Sequence, residues 1–257
     1  MKSFDHSIFS FDHKVVIVTG AARGVGFTTG KLFADCGATV VMLDRLPAVS
    51  ESWKSLSVLT GQAFQCDITD REQVENVVRT VVGNYGRIDV LVNCAGICRT
   101  GTAEDLSDED WLSSIAVNLT GVFYMCRAVG KHMIARGGGG KIVNIASHSA
   151  LVATKGNAAY TAGKAGVVAL TRNLALDWAE HNIQVNAISP TAILTEMALQ
   201  FSDGDERKLV EKWRTRIPAG RLLYPGEVAE AILFLCSRCA DMICGENLVI
   251  DGGYSIQ

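Results

Sequence analysis

Residues His13–Thr19, HKVVIVT, form an unbroken β-branched run that leads directly into Gly20-Ala-Ala-Arg-Gly24-Val-Gly26. A run apolar on both sides suits a strand covered on both faces of a parallel sheet, since a half-exposed strand would alternate. The glycines that follow let the backbone turn sharply and approach a diphosphate. A helix starting near Gly24 then offers free N–H groups and its positive dipole end to that anion. The same glycines could also serve only as a tight strand-to-helix connection.

The pattern repeats along the chain. Further strands are expected at Thr39–Leu43, Gln62–Cys66, Asp89–Asn93, Lys141–Ala146, Ile183–Ile188 and Asn247–Ile250, with helices at 70–85, 109–136, 160–180 and 225–237. Such alternation predicts an α/β fold: one Rossmann-like doubly wound parallel β-sheet of about seven strands, helices on both faces. Residues 14–257 are read as this single domain and 1–13 as an N-terminal extension. The polar stretch 194–218, broken at Gly204, is a candidate substrate lid. Trp213 either lines that lid or staples it to the body.

In sheets of this kind ligands gather at the carboxyl ends of the strands. Asp44 closes the second strand 24 residues beyond Gly20, placed to accept hydrogen bonds from an adenosine ribose or to act as a loop cap. Its charge would repel a 2′-phosphate, which favours NAD over NADP, whereas Arg23 and Arg45 could attract one. Asp67 either contacts the adenine or caps the next helix. Asn93–Gly96, NCAG, again permits close backbone approach. Asn118 lies inside the long helix expected at 109–136, an unfavourable place for a residue that competes for backbone hydrogen bonds. Ser147 follows the fifth strand. Tyr160 and Lys164 sit one helical turn apart on one face, and an ammonium beside a phenol favours the phenolate. The pair can therefore move protons, or be a boundary tyrosine with a snorkelling lysine.

With 257 residues and a formal charge of −3, the chain lacks the basic footprint of a nucleic-acid binder. Hydrophobic residues make up 48% and charged residues 20%, too apolar for disorder. Met1–Asp12 does not read as a secretory signal, and no apolar run is read as a membrane span. A cytoplasmic location is expected, with the eight cysteines as reduced core thiols. Cys236 and Cys239 form the lone CxxC, without the second pair or histidines of a zinc site, so no metal is expected.

Taken together, TGAARGVG (19–26), NCAG, Asn118, Ser147, YTAGK (160–164), NAISPT (186–191), Thr195 and the late DGG resemble the short-chain dehydrogenase/reductase family in its single-domain form, over nearly the whole chain. The resemblance implies that Tyr160 is the general acid/base and that Lys164 holds the nicotinamide ribose and lowers the tyrosine pKa. It implies that Ser147 polarises the substrate oxygen and Asn118 holds a water linking Lys164 to solvent. Cofactor contacts are implied for Gly20, Arg23, Gly24, Val25, Gly26, Asp44 and Arg45. They are implied also for Asp67, Ile68, Asn93, Ala95, Gly96, Tyr160, Lys164, Pro190, Ile193 and Thr195. A homotetramer is implied as well.

Thr191 stands where the family commonly has glycine, an exchange similar to that in sugar, polyol and dicarbonyl reductases. His148 and Asn157, with Ser147 and Tyr160, are candidate substrate contacts; the first two could instead make loop hydrogen bonds. A pocket that bonds hydroxyls rejects analogues lacking them, so the expected substrate is a small molecule, a polyol or sugar alcohol, oxidised with NAD. Leu151, Val152 and Ile193 leave open an NADPH-dependent reductase of a hydrophobic ketone. A catalytically silent nucleotide-sensing protein is the reading from another class, opposed by the intact set Asn118, Ser147, Tyr160 and Lys164.

Overall fold

A computed structural model describes residues 6–56 and 60–257. Strand β1 (Val15–Thr19) is buried at every position. It begins later than the apolar run because His13 takes a φ of 63°, closing a turn in which Lys14 N–H donates to the Phe11 carbonyl. Helix α1 (Gly24–Asp35), strand β2 (Thr39–Asp44), a short helix α2 (Val49–Lys54), strand β3 (Gly61–Gln65), helix α3 (Arg71–Tyr85) and strand β4 (Val90–Asn93) follow. Then come α4 (Asp108–Ile115), a π-helical stretch (Ala116–Gly121), α5 (Val122–Arg136), β5 (Gly140–Ile145), α6 (Ala158–Trp178) and β6 (Ile183–Pro190). The chain ends with α7 (Glu196–Leu199), α8 (Glu206–Arg214), α9 (Pro225–Cys236) and β7 (Asn247–Ile250).

All seven strands are parallel in the order β3-β2-β1-β4-β5-β6-β7. The strand order reverses between β1 and β4, and the crevice beyond their carboxyl ends is where such a sheet binds ligands. Two apolar layers sandwich the sheet: one holds α3, α5 and α6 residues such as Val78, Met125 and Val167. The other holds Phe33 of α1 and Val228 and Ile232 of α9.

Ahead of Lys14, Phe11 is buried and packs edge-on against Phe33 at 4.8 Å. Two expectations are corrected here. The continuous helix 108–136 is long and apolar enough to cross a membrane by length and composition, although no such run was expected. Here it serves the core, with Ser114, Asn118, Val122, Met125, Cys126, Val129 and Met133 buried. The thiols are not all internal: Cys236 is buried while Cys239 and Cys244 are exposed.

Candidate active site

The glycine-rich turn is shaped by close approach. Gly20 has φ 64°, and a Cβ there would lie 2.7 Å from the backbone of Ala95. Only glycine lets the loops after β1 and β4 meet this way. Arg23 occupies the N-cap of α1 in extended conformation without a side-chain cap, so the first-turn N–H groups remain available to an anion. Val25 and Gly26 lie in that first turn. Asp44 is anchored beside it: one carboxylate oxygen accepts from Ala22 N–H at 3.0 Å and the other from Leu46 N–H at 2.9 Å. Each oxygen keeps a lone pair for a further donor. The cap reading and the ribose reading of Asp44 are thus compatible, and these residues fit a dinucleotide.

Other cofactor candidates are placed differently. Asp67 accepts from Thr69 N–H and its hydroxyl, while Asp70, not Asp67, caps α3 through Glu72 and Gln73. The Ile68 side chain is buried, and a Cβ on Gly121 would meet it at 2.7 Å. Asn93 turns into the core, donating to Asn144 at 2.8 Å; Asn144 donates to Thr171 at 3.0 Å. Only the backbones of Ile68 and Asn93 could therefore serve a cofactor. Ala95 N–H donates to the Thr19 hydroxyl at 3.2 Å. The Arg23 guanidinium is paired with Glu196, whereas Arg45 is exposed.

Asn118, fully buried in the π-helical stretch, clamps the loop after β4: its amide donates to the Ile97 carbonyl at 2.9 Å and accepts from Ile97 N–H at 3.0 Å. The odd residue in a long helix thus marks a real irregularity, of the kind that recurs at functional sites. Gly96 lies against it, since a Cβ there would come 3.0 Å from the Asn118 oxygen and 3.5 Å from Lys164 Nζ. Lys164 is 3% exposed and donates to the Ile145 carbonyl at 2.6 Å. Its Nζ stands 5.9 Å from the Tyr160 ring centre. Small residues make this possible: Gly163 brings α6 against Asn118, where a Cβ would sit 3.0 Å from the Asn118 Cβ.

Burial pushes the Tyr160 hydroxyl up to about 12, against a hydrogen bond with Ser147 that lowers it. Burial likewise pulls the Lys164 ammonium down to about 8, with nearby Cys94 and Cys98 opposing. Lys164 Nζ is directed at a backbone carbonyl, and desolvation of the phenol is the largest influence on the Tyr160 pKa. As it stands, the Tyr160 hydroxyl is a proton donor near neutrality, hydrogen-bonded to Ser147.

Ser147, 4% exposed, also accepts from Ser149 N–H at 3.1 Å. His148 is 7% exposed, with Nδ1 3.3 Å from the Pro190 carbonyl oxygen. Its ring meets Tyr254 at 4.8 Å and Trp213 at 5.8 Å, both edge-on. Burial lowers its pKa. His148 thus makes the loop hydrogen bond of the blander reading and ties the serine loop to the candidate lid, and Trp213 staples that lid to the body. Asn157 precedes α6 and pairs through its backbone with Gly101. Thr195 caps α7, its hydroxyl accepting from Ala198 N–H at 3.4 Å, and its methyl lies 3.6 Å from where a Gly24 Cβ would be. Ile193 forms a bridge with Leu223.

Two side chains here carried no local signal. Glu196 and Tyr254 are known only by contacts across the chain. The Thr191 hydroxyl, marked in the sequence by its replacement of glycine, is buried without a partner among the described residues.

Comparison with known proteins agrees with this arrangement. The family profile described as enoyl-(acyl carrier protein) reductase matches residues 20–255. An NAD-dependent glycerol dehydrogenase of Listeria innocua is 45% identical over 256 residues, covering 100% of this chain and 99% of that protein. A D-threitol dehydrogenase of Mycolicibacterium smegmatis is 43% identical, covering 97% of this chain and 95% of that one. A gluconate 5-dehydrogenase from Burkholderia cenocepacia, solved in complex with NADP and tartrate, superposes with a TM-score of 0.90 at 33% identity, covering 98% of this chain and 100% of that one. With its parallel seven-stranded sheet and matches of this extent, the chain belongs to the short-chain dehydrogenase/reductase family of oxidoreductases that use a nicotinamide cofactor.

Proposed function

We propose that the protein oxidises a secondary alcohol of a polyol or sugar alcohol, with NAD as the preferred acceptor. The observation that carries this is the Ser147–Tyr160–Lys164 group at the carboxyl edge of the sheet, with Ser147 and Lys164 buried and Tyr160 half-buried, beside an uncapped helix N-terminus. Gly20, Gly24, Val25 and Gly26 would cradle the diphosphate and Asp44 the ribose. The backbones at Asn93, Ala95, Gly96, Pro190 and Ile193 would contact the rest of the cofactor, with Thr195 at its carboxamide. When bound, the nicotinamide supplies hydride acceptance at C4, and its oxidised ring carries positive charge.

Tyr160 holds the proton at its phenolic oxygen. Oxidising the alcohol needs that oxygen as the base that takes the hydroxyl proton while hydride leaves the carbon, and a phenol raised by burial becomes one only where positive charge gathers around it. Lys164 contributes such charge from below the ring. Ser147, already bonded to Tyr160, orients the substrate oxygen between the two hydroxyls. The polyol reading is supported by the named activities of the glycerol and threitol relatives. Asn157, His148 and the Thr191 hydroxyl supply polar groups around such a substrate. Asp44, free to accept ribose hydroxyls, supports NAD; exposed Arg45 and a structural neighbour solved with NADP favour the other cofactor. Residues 194–218 act as the lid.

We assign the protein to a homotetramer in the cytoplasm. Exposed Trp111, Leu112 and Leu176 on α4 and α6 support the first, and free cysteines the second. Kinetics of the purified protein with glycerol, tetritols, hexitols and hydrophobic ketones, each with NAD and NADP, test the reading. A polyol with NAD should give the highest kcat/KM; a hydrophobic ketone with NADPH exceeding it would overturn the assignment.

A further inference from the structure

Arg23 is one residue from Ala22, whose N–H anchors the Asp44 carboxylate. A side chain at that position can reach the ribose that Asp44 would hold, or a phosphate attached to it. In the structure its guanidinium is engaged elsewhere, in an ion pair with Glu196, 173 residues away at the first position of α7. The pairing is not a chance meeting of long side chains. Thr195, the residue before Glu196, packs on Gly24, the residue after Arg23, so the start of α7 rests on the glycine-rich loop with the two charges face to face.

We propose that Glu196 is a specificity-determining residue for the cofactor: it withholds Arg23 from a ribose 2′-phosphate, so that Asp44 alone reads that end of the dinucleotide. This rests on the NAD reading above and names a group outside the Asp44 strand end as part of it. Around the ribose, Asp44 and Glu196 balance Arg23 and Arg45. Loss of Glu196 leaves a net positive surround and a guanidinium free to make a forked contact with phosphate. An exposed ion pair is modest in energy, so the effect is a change in preference and not an all-or-none switch.

The test is the ratio of kcat/KM with NADP to that with NAD, measured for the wild type, Glu196→Gln, Arg23→Ala and the double variant. Glu196→Gln should raise the ratio by about threefold or more, with most of the gain lost in 0.5 M salt (~4 Å screening length). The gain should vanish when Arg23 is also alanine, since the coupling runs through that residue. An unchanged ratio in Glu196→Gln, or the same rise with Arg23 absent, would overturn the proposal. A wild type that prefers NADP would instead defeat the NAD reading, and the shift on substitution would still decide the role of Glu196.

Discussion

The two edges of the sheet treat buried charge in opposite ways. At the amino edge, Asp89 is 6% exposed and fully matched: Arg87 donates at 2.7 and 2.5 Å, Arg136 at 3.1 Å and Val15 N–H at 3.0 Å, with Lys14 at 3.8 Å. Burial alone would raise its pKa, but these partners outweigh it and hold the carboxyl below the usual range. At the carboxyl edge, Lys164 is as deeply buried, has one carbonyl partner among the described residues, and has its pKa lowered. Nearby, the hydroxyls of Ser114 and Thr191 have no partner among the described residues. The Asp89 carboxylate is satisfied and ties strands to helix α5, whereas the Lys164 ammonium and its neighbouring hydroxyls are held at a cost to stability.

That contrast can be broken by exchanging stability for activity. The largest effect is expected from Lys164→Met, which keeps the volume and removes the buried ammonium. Activity should fall by about 10²-fold or more, while the melting temperature stays level or rises. The sign follows from linkage: a lysine whose pKa is lowered by folding costs stability while charged. The wild type should therefore gain stability as pH rises from about 8 toward 10.4, the unfolded value, and the variant should not. An activity within tenfold of wild type would remove Lys164 from the site.

Asp89→Asn should do the reverse. Loss of a matched buried carboxylate is expected to cost about 2 kcal/mol, or roughly 4–8 °C in melting temperature, with kcat/KM of the folded protein unchanged. Because its carboxyl is lowered in the folded state, its contribution is complete above about pH 3.9, the unfolded value. It disappears as pH falls through the folded pKa, so the stability curves of the wild type and of the Asp89→Asn variant should converge in acid. Curves that stay parallel would show that the network contributes nothing.

A smaller change sharpens the carboxyl edge itself. Tyr254→Ala removes the ring that His148 and Trp213 share. Loosening the anchor of α8 should raise KM for the alcohol by roughly three- to tenfold with kcat held within about threefold. A fall in kcat alone would mean that the cluster positions Ser147 instead of the lid.

Much of this was legible in the sequence because it is local. Apolar runs and the alternation of elements placed the strands within about two residues of their ends, and the glycines, Asn118, Ser147, Tyr160 and Lys164 mark their own positions. What escaped is set by contacts distant in sequence or by single backbone angles. The left-handed turn at His13 shortens β1. Helix α2 has six residues, too few for periodicity to reveal. The family resemblance implies Ile68 and Asn93 as cofactor contacts, yet packing on Gly121 and a bond to Asn144 turn their side chains inward. The pairing of Arg23 with Glu196 has no signature in either neighbourhood. The pKa balance of Tyr160 escaped too, because spacing places the lysine but does not report burial.

Everything proposed for the site turns on the proton of a half-buried phenol, and Tyr160→Phe addresses it with a single atom. The decisive measurement is the alcohol-oxidation rate of that variant from pH 6 to 10, with folding checked by circular dichroism and cofactor affinity by fluorescence. A loss of about 10²–10⁴-fold is expected at every pH with fold and cofactor binding retained; a folded variant oxidising the alcohol within tenfold of wild type would contradict the role given to Tyr160.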